Sequence, residues 1–117
     1  MLTHTDIHQD ENGIAVVKFS GRFTLGSSMS LAQSKIDQLI DQDGVRKLVF
    51  DLAEVEHIDS AGLGMIVYTR GKLHQLDGKL RLAAPNERVR QMFKMTHTDD
   101  LLDIDPDALS SIEKLKD

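Results

Sequence analysis

The residues with the most chemical potential lie close together, in His57-Ile58-Asp59-Ser60-Ala61-Gly62-Leu63-Gly64. A serine can cap a helix, attack an acyl group or accept a phosphoryl group. Acyl chemistry fits poorly. The G-x-S-x-G elbow is absent, because Ile58 and Gly62 hold the flanking positions. His57 is three residues upstream in a tight loop, which does not suit a base serving Ser60. No catalytic residue is assigned, and the chain is not read as an enzyme. Capping fits well: Ser60 falls where a helix should start, and an N-cap serine is worth ~1 kcal/mol. A phosphoryl group there would also meet free backbone N–H groups and the positive end of the helix dipole. Gly62 and Gly64 each cost a helix roughly 1 kcal/mol against alanine. Two in one turn suggest a packing need or a backbone left bare for a partner. Asp59 would repel a phosphate of charge about −1.5 to −2. Phosphorylation of Ser60 is therefore expected to change what the surface repels more than to lock a new internal bond.

The other candidate chemistries are weaker. His4, His8, His57, His74 and His97 are scattered. His4 and His8 share one face of a strand, but two such histidines are read as solvated, so no metal site is assigned. No cysteine is present, which removes disulfides and thiol chemistry. Neither a P-loop nor a dinucleotide fingerprint occurs, and no cofactor is expected. Arg81, Arg88 and Arg90 cluster loosely and are assigned to solvated faces. A net charge of −5 opposes nucleic acid and anionic lipid, and 4% aromatic content leaves little for base stacking. The polar start Met1-Leu2-Thr3-His4 is no secretory signal, and no apolar run approaches the ~20 residues that span a bilayer. A cytoplasmic protein with no membrane contact is expected.

The elements that must position Ser60 follow from periodicity. With 117 residues, 40% apolar and 28% charged, one globular domain over 1–117 is expected. Thr5 to Gln9 and Ile14 to Ser20 read as a hairpin around an Asn-Gly turn. Gly21 to Ser28 reads as a loop. Met29, Ala32, Ile36, Leu39 and Ile40 form one helical stripe, terminated near Gly44. Lys47 to Leu52 reads as a central strand. A second helix follows Ser60, with Leu63, Ile66, Val67 and Leu73 inward and Asp77-Gly78 at its end. Lys79 to Ala83 is the next strand. Asn86 caps a third helix with Val89, Met92 and Phe93 inward. Leu101 to Ile104 reads as the last strand. Asp105-Pro106 reads as a cap and first turn, before a helix with Ala108, Leu109, Ile112 and Leu115 inward. The order ββαβαβαβα predicts an α/β fold with a mixed, mostly parallel sheet. Its functional loops should lie beyond the C-terminal strand ends, where Glu54 to Ser60 and Gly21 to Ser28 fall.

Leu48-Val49-Phe50-Asp51-Leu52 followed by Ile58-Asp59-Ser60-Ala61-Gly62-Leu63-Gly64 resembles the STAS domain, in particular the bacterial anti-sigma factor antagonists. The likeness runs roughly from Ile7 to Ile112, with Gly21-Arg22-Phe23, Pro85 and Val89 to Met95 also in register. It implies a partner switch. An anti-sigma factor that is itself a serine kinase, of the histidine-kinase-like ATPase fold, phosphorylates the serine after the aspartate. The unphosphorylated antagonist binds that kinase and frees a sigma factor, and a PP2C-type phosphatase restores it. Carried over, the phosphoacceptor is Ser60, and the docking surface takes in Asp59, Ser60, Ala61, Gly62, Leu63 and Gly64, with Arg22 and Thr24 beside it. Thr24 is a departure, since many members have an acidic residue there. The same family includes scaffold and regulatory subunits of other signalling or transport complexes, which is the alternative reading.

Overall fold

The computed structural model describes residues 1–116. Its element order is β1 (Leu2–Gln9), β2 (Ile14–Phe23), α1 (Ser27–Asp41), β3 (Lys47–Ile58), α2 (Ser60–Gln75), β4 (Lys79–Ala83), α3 (Glu87–Met95), β5 (Ile104–Asp105) and α4 (Ala108–Leu115). This is the expected ββαβαβαβα order. The strands lie side by side in chain order, with β1 antiparallel to β2 and every other pair parallel.

That order dictates the layers. Right-handed crossovers that always step in one direction put α1, α2 and α3 on the same face of the sheet. The main core accordingly joins Val17, Phe19, Leu48, Phe50 and Leu82 to the inward stripes of these helices. Phe19 stacks edge-on to Phe50 at a centroid distance of 5.1 Å. The α1 stripe is as expected, with Met29, Ala32, Ile36, Leu39 and Ile40 all buried. The intervening strand residues face the other way. There Ile14, Val49 and Ala83 meet Leu115 of α4 in a second, smaller core.

Apart from the earlier start of β1, at Leu2 rather than Thr5, three boundaries differ from the sequence reading. The segment after Ser20 is not a loop: β2 continues to Phe23 through a bend at Gly21. Gly21 has φ +97°, and an added Cβ would sit 2.9 Å from the Met1 carbonyl oxygen, so only glycine fits this crossing. Strand β3 continues past Leu52 to Ile58. The Asp51 carboxylate accepts the Ala53 N–H at 3.1 Å where the register with β2 shifts. Beyond β4, the Asn86 side chain stands in for a neighbouring strand, donating to the carbonyls of Val55 at 3.0 Å and Glu56 at 3.3 Å.

The third correction concerns the C-terminal region. The last strand is Ile104–Asp105, not Leu101 to Ile104. Asp105 does not cap α4; Asp107 does, accepting the Ser110 N–H at 2.8 Å. Pro106 therefore precedes the cap. Starting the helix later rotates its inward face, so Leu109 is 76% exposed and Ser111 is buried. Asp105 is fully buried instead. It accepts from Arg81 Nε at 2.7 Å and Nη2 at 3.1 Å, Ser111 Oγ at 2.7 Å and Lys114 Nζ at 2.6 Å. Arg81 thus lies in a buried ion cluster under α4 rather than on a solvated face.

Candidate docking and phosphorylation site

The C-terminal ends of β2 and β3 pair up to Phe23 and Ile58, and α2 starts directly after them. The N-cap of α2 is Asp59, not Ser60. Asp59 has extended backbone angles, and its Oδ1 accepts the Gly62 N–H at 2.9 Å. Its Oδ2 accepts the Leu25 N–H at 3.0 Å, which ties the loop before α1 to the start of α2. A carboxylate caps better here than a hydroxyl, because it serves two donors and carries charge complementary to the dipole. Partial burial pushes the Asp59 carboxyl up, but the Gly62, Leu25 and Ala61 N–H groups outweigh it and hold its pKa below the ordinary value.

Ser60 becomes the first residue of α2, and its side chain is exposed. Its hydroxyl has no hydrogen-bond partner among the described residues. Ser60 is therefore not needed to cap the helix and is open to modification. Among the described residues no hydrogen bond joins it to His57. Arg22 is exposed and Thr24 half-buried, both on the segment that Asp59 ties down. No cluster of three potential metal ligands occurs among the described residues.

The two glycines play opposite parts. Gly62 is buried, and a Cβ there would lie 2.3 Å from the Phe23 carbonyl oxygen and 2.9 Å from Ile58 Cγ1. It allows α2 to start hard against the ends of β2 and β3, so the expectation that it lies bare for a partner is corrected. Gly64 is the open one, with nothing within 4 Å of an added Cβ. It lines a groove of about 420 Å³ between α1 and α2, with Leu25, Met29, Ala61, Met65 and Tyr68. Leu25 is 76% exposed and Tyr68 53% exposed. Neither was singled out from the sequence. The signal for Tyr68 was a large ring outside the buried stripe of α2; Leu25 gave none, being one apolar residue in a Gly/Ser stretch. Leu63 is buried in the core and not available to a partner.

The helix end offers a phosphate less than the sequence suggested. The Gly62 N–H is already taken by Asp59. A phosphoryl group on Ser60 would stand out into solvent beside that carboxylate, adding bulk and charge next to Ala61 of the groove lining.

Comparison with known proteins places this geometry in a family. The STAS domain matches residues 7–109. The chain is 35% identical over 63 residues to the anti-sigma-B factor antagonist of Staphylococcus aureus, a stretch covering 54% of this chain and 58% of that relative's length. It is 28% identical over 103 residues to the anti-sigma-B factor antagonist of Staphylococcus epidermidis, covering 88% and 87%. Among solved structures it superposes on unphosphorylated SpoIIAA, an anti-sigma factor antagonist, with a TM-score of 0.83 at 18% identity, covering 95% of each chain. The phosphorylated form of Bacillus SpoIIAA gives a TM-score of 0.79 at 17% identity, covering 97% of this chain and 100% of the other. With the match spanning nearly all of the sheet and the whole Asp59–Gly64 motif, the chain belongs to the STAS domain family.

Proposed function

We propose that this protein is an anti-sigma factor antagonist whose binding is switched off by phosphorylation at Ser60. The observation that carries the reading is Ser60 itself: exposed, unbonded, relieved of capping by Asp59, and next in the chain to Ala61, which lines the groove with Leu25 and Tyr68. A docking partner there buries apolar surface at a core of Leu25, Ala61 and Tyr68, with Asp59, Gly64, Arg22 and Thr24 around it. Adding a dianion beside such a contact forces the desolvation of an unpaired charge as the partner closes over it. The partner is an anti-sigma factor with serine kinase activity, and a phosphatase of the PP2C type reverses the modification. The relatives named as antagonists support this reading, and the protein itself acts by binding rather than by catalysis.

The test pairs the protein with an anti-sigma factor serine kinase from the same genome, with ATP, and maps the product by mass spectrometry. Phosphate on Ser60 is expected; phosphate elsewhere, or none, sinks the proposal. In binding measurements Ser60→Ala retains affinity and Ser60→Asp loses about tenfold or more, since like-charge or unpaired contacts at an interface cost several kcal/mol. Equal affinities of the two variants would rule out an electrostatic block.

A further inference from the structure

The free edge of the sheet is β1, an eight-residue strand exposed along most of its length. Its backbone polarity is set by the hairpin. The Asp10 N–H donates to the Ile14 carbonyl at 3.0 Å, and His8 lies opposite Val16. Strand alternation then turns His8 and Asp6 toward β2 and leaves the N–H and C=O groups of Thr5, Ile7 and Gln9 facing outward. The side chains add a pattern. Asp6 and His8 point to the face that carries Lys18 and Val16, while Ile7 points to the helical face with Val17. Ile7 is 37% exposed, and Leu31 of α1, 59% exposed, lines a hollow beside the same edge with Thr3, His4, Thr5 and Lys35.

We propose that β1 pairs antiparallel with β1 of a second copy of this chain, in the register that sets Ile7 opposite Ile7. This register uses the outward-facing backbone groups, with Thr5 opposite Gln9 and Ile7 opposite itself. It also makes the side chains self-complementary: Asp6 meets His8 of the second copy, twice by symmetry, and the two Ile7 side chains meet between the flanking α1 helices. Charged groups on an open edge commonly repel other strands. Here an acid and an imidazole are spaced so that the strand attracts its own copy. The register one step away, with Asp6 opposite Asp6, would still pair outward groups, Thr5 with Ile7, but it sets carboxylate against carboxylate and His4 against His8. The result is a continuous ten-stranded sheet about a twofold axis. Because the axis reverses strand direction, the two Ser60 ends lie at opposite ends of the dimer, and each stays open. The inference is independent of the phosphorylation reading.

Sedimentation equilibrium of the purified protein across about 1 µM to 1 mM tests it, because a dimer follows mass action. A shift to twice the chain mass is expected. Ile7→Pro removes an N–H that faces away from β2, so the monomer keeps its sheet while the intermolecular ladder is lost. This variant should stay monomeric where the wild type is dimeric, with an unchanged circular dichroism spectrum. A second pair covers the case in which proline disturbs folding. His8→Asp opposes Asp6 of the second copy and should weaken the dimer at least tenfold, and adding Asp6→Lys should restore it. A wild type that remains monomeric throughout overturns the proposal, including the case where β1 instead takes a strand from another protein. So does a dimer indifferent to both Ile7→Pro and His8→Asp.

Discussion

Asp59 divides its two oxygens between two elements, and that division explains why the serine beside it is free. One oxygen caps α2 through Gly62, and the other fixes the loop before α1 through Leu25. Asp59→Ala should therefore cost about 1–2 kcal/mol in urea unfolding, the range for a lost cap, and should loosen Leu25 at the groove. Gly62 and Gly64 provide a paired test. Gly62→Ala drives a methyl into the Phe23 carbonyl and should destabilise by about 1–3 kcal/mol. Gly64→Ala meets open space and should stabilise the helix by roughly 1 kcal/mol. If the groove is the docking surface, the second variant weakens partner binding while strengthening the fold. Opposite signs in stability and affinity would mark it as a surface kept bare for contact.

At the scale of elements, α4 is held by a different kind of interaction from α1, α2 and α3. Its apolar seat is small, and the Asp105 cluster does much of the anchoring. Burial pushes the Asp105 carboxyl up, but donation from Arg81, Lys114 and Ser111 more than reverses this and holds it well below the usual carboxylate range. A depressed folded pKa gives stability that is present in full above the unfolded value of 3.8 and is lost as pH falls below it toward the folded value. Asp105→Asn should cost about 3 kcal/mol near neutrality by leaving Arg81 only the longer contact to Asp103 at 3.9 Å. It should also flatten the decline in stability below about pH 4. Amide exchange should show α4 opening first in this variant. The same region shows what sequence patterns carry and what they omit. The α1 stripe was legible because five apolar residues repeat at helical spacing. The end of β3 was not, because Asp51, Glu54 and Glu56 give it the charge density of a loop and its support comes from Asn86, thirty residues on. The α4 phase was misread because Asp-Pro is a good cap signal locally, whereas Asp105 is claimed by Arg81, 24 residues earlier.

For the whole molecule, the site was legible as a motif and not as a surface. The run Asp59 to Gly64 pointed to Ser60, but the roles of Asp59 and Gly62 depend on Phe23 and Leu25, which reach them only through the fold. The groove arises where α1 and α2 part, and no local pattern encodes it. Phosphorylation should act without reorganising this frame, because Ser60 bonds to nothing that would be released. Amide shifts on phosphorylation should be confined to residues 22–30 and 57–68, leaving α4 and β5 unchanged. Shifts spreading to the Asp105 cluster would instead indicate a conformational relay. No helix among the described residues is long and apolar enough to cross a membrane.

The strands lie in the order in which they are synthesised. Each new strand meets its neighbour at the growing edge, and no gap is left for a later segment to fill. β1 through β3 and the sequence of α2 are thus made before β4, although α2 packs on β4 as well as on β3. The Asp59 clasp and the serine it frees all belong to that first half. The switch is encoded ahead of the rest of the domain, and Asn86, made afterwards, secures the end of β3 that carries it.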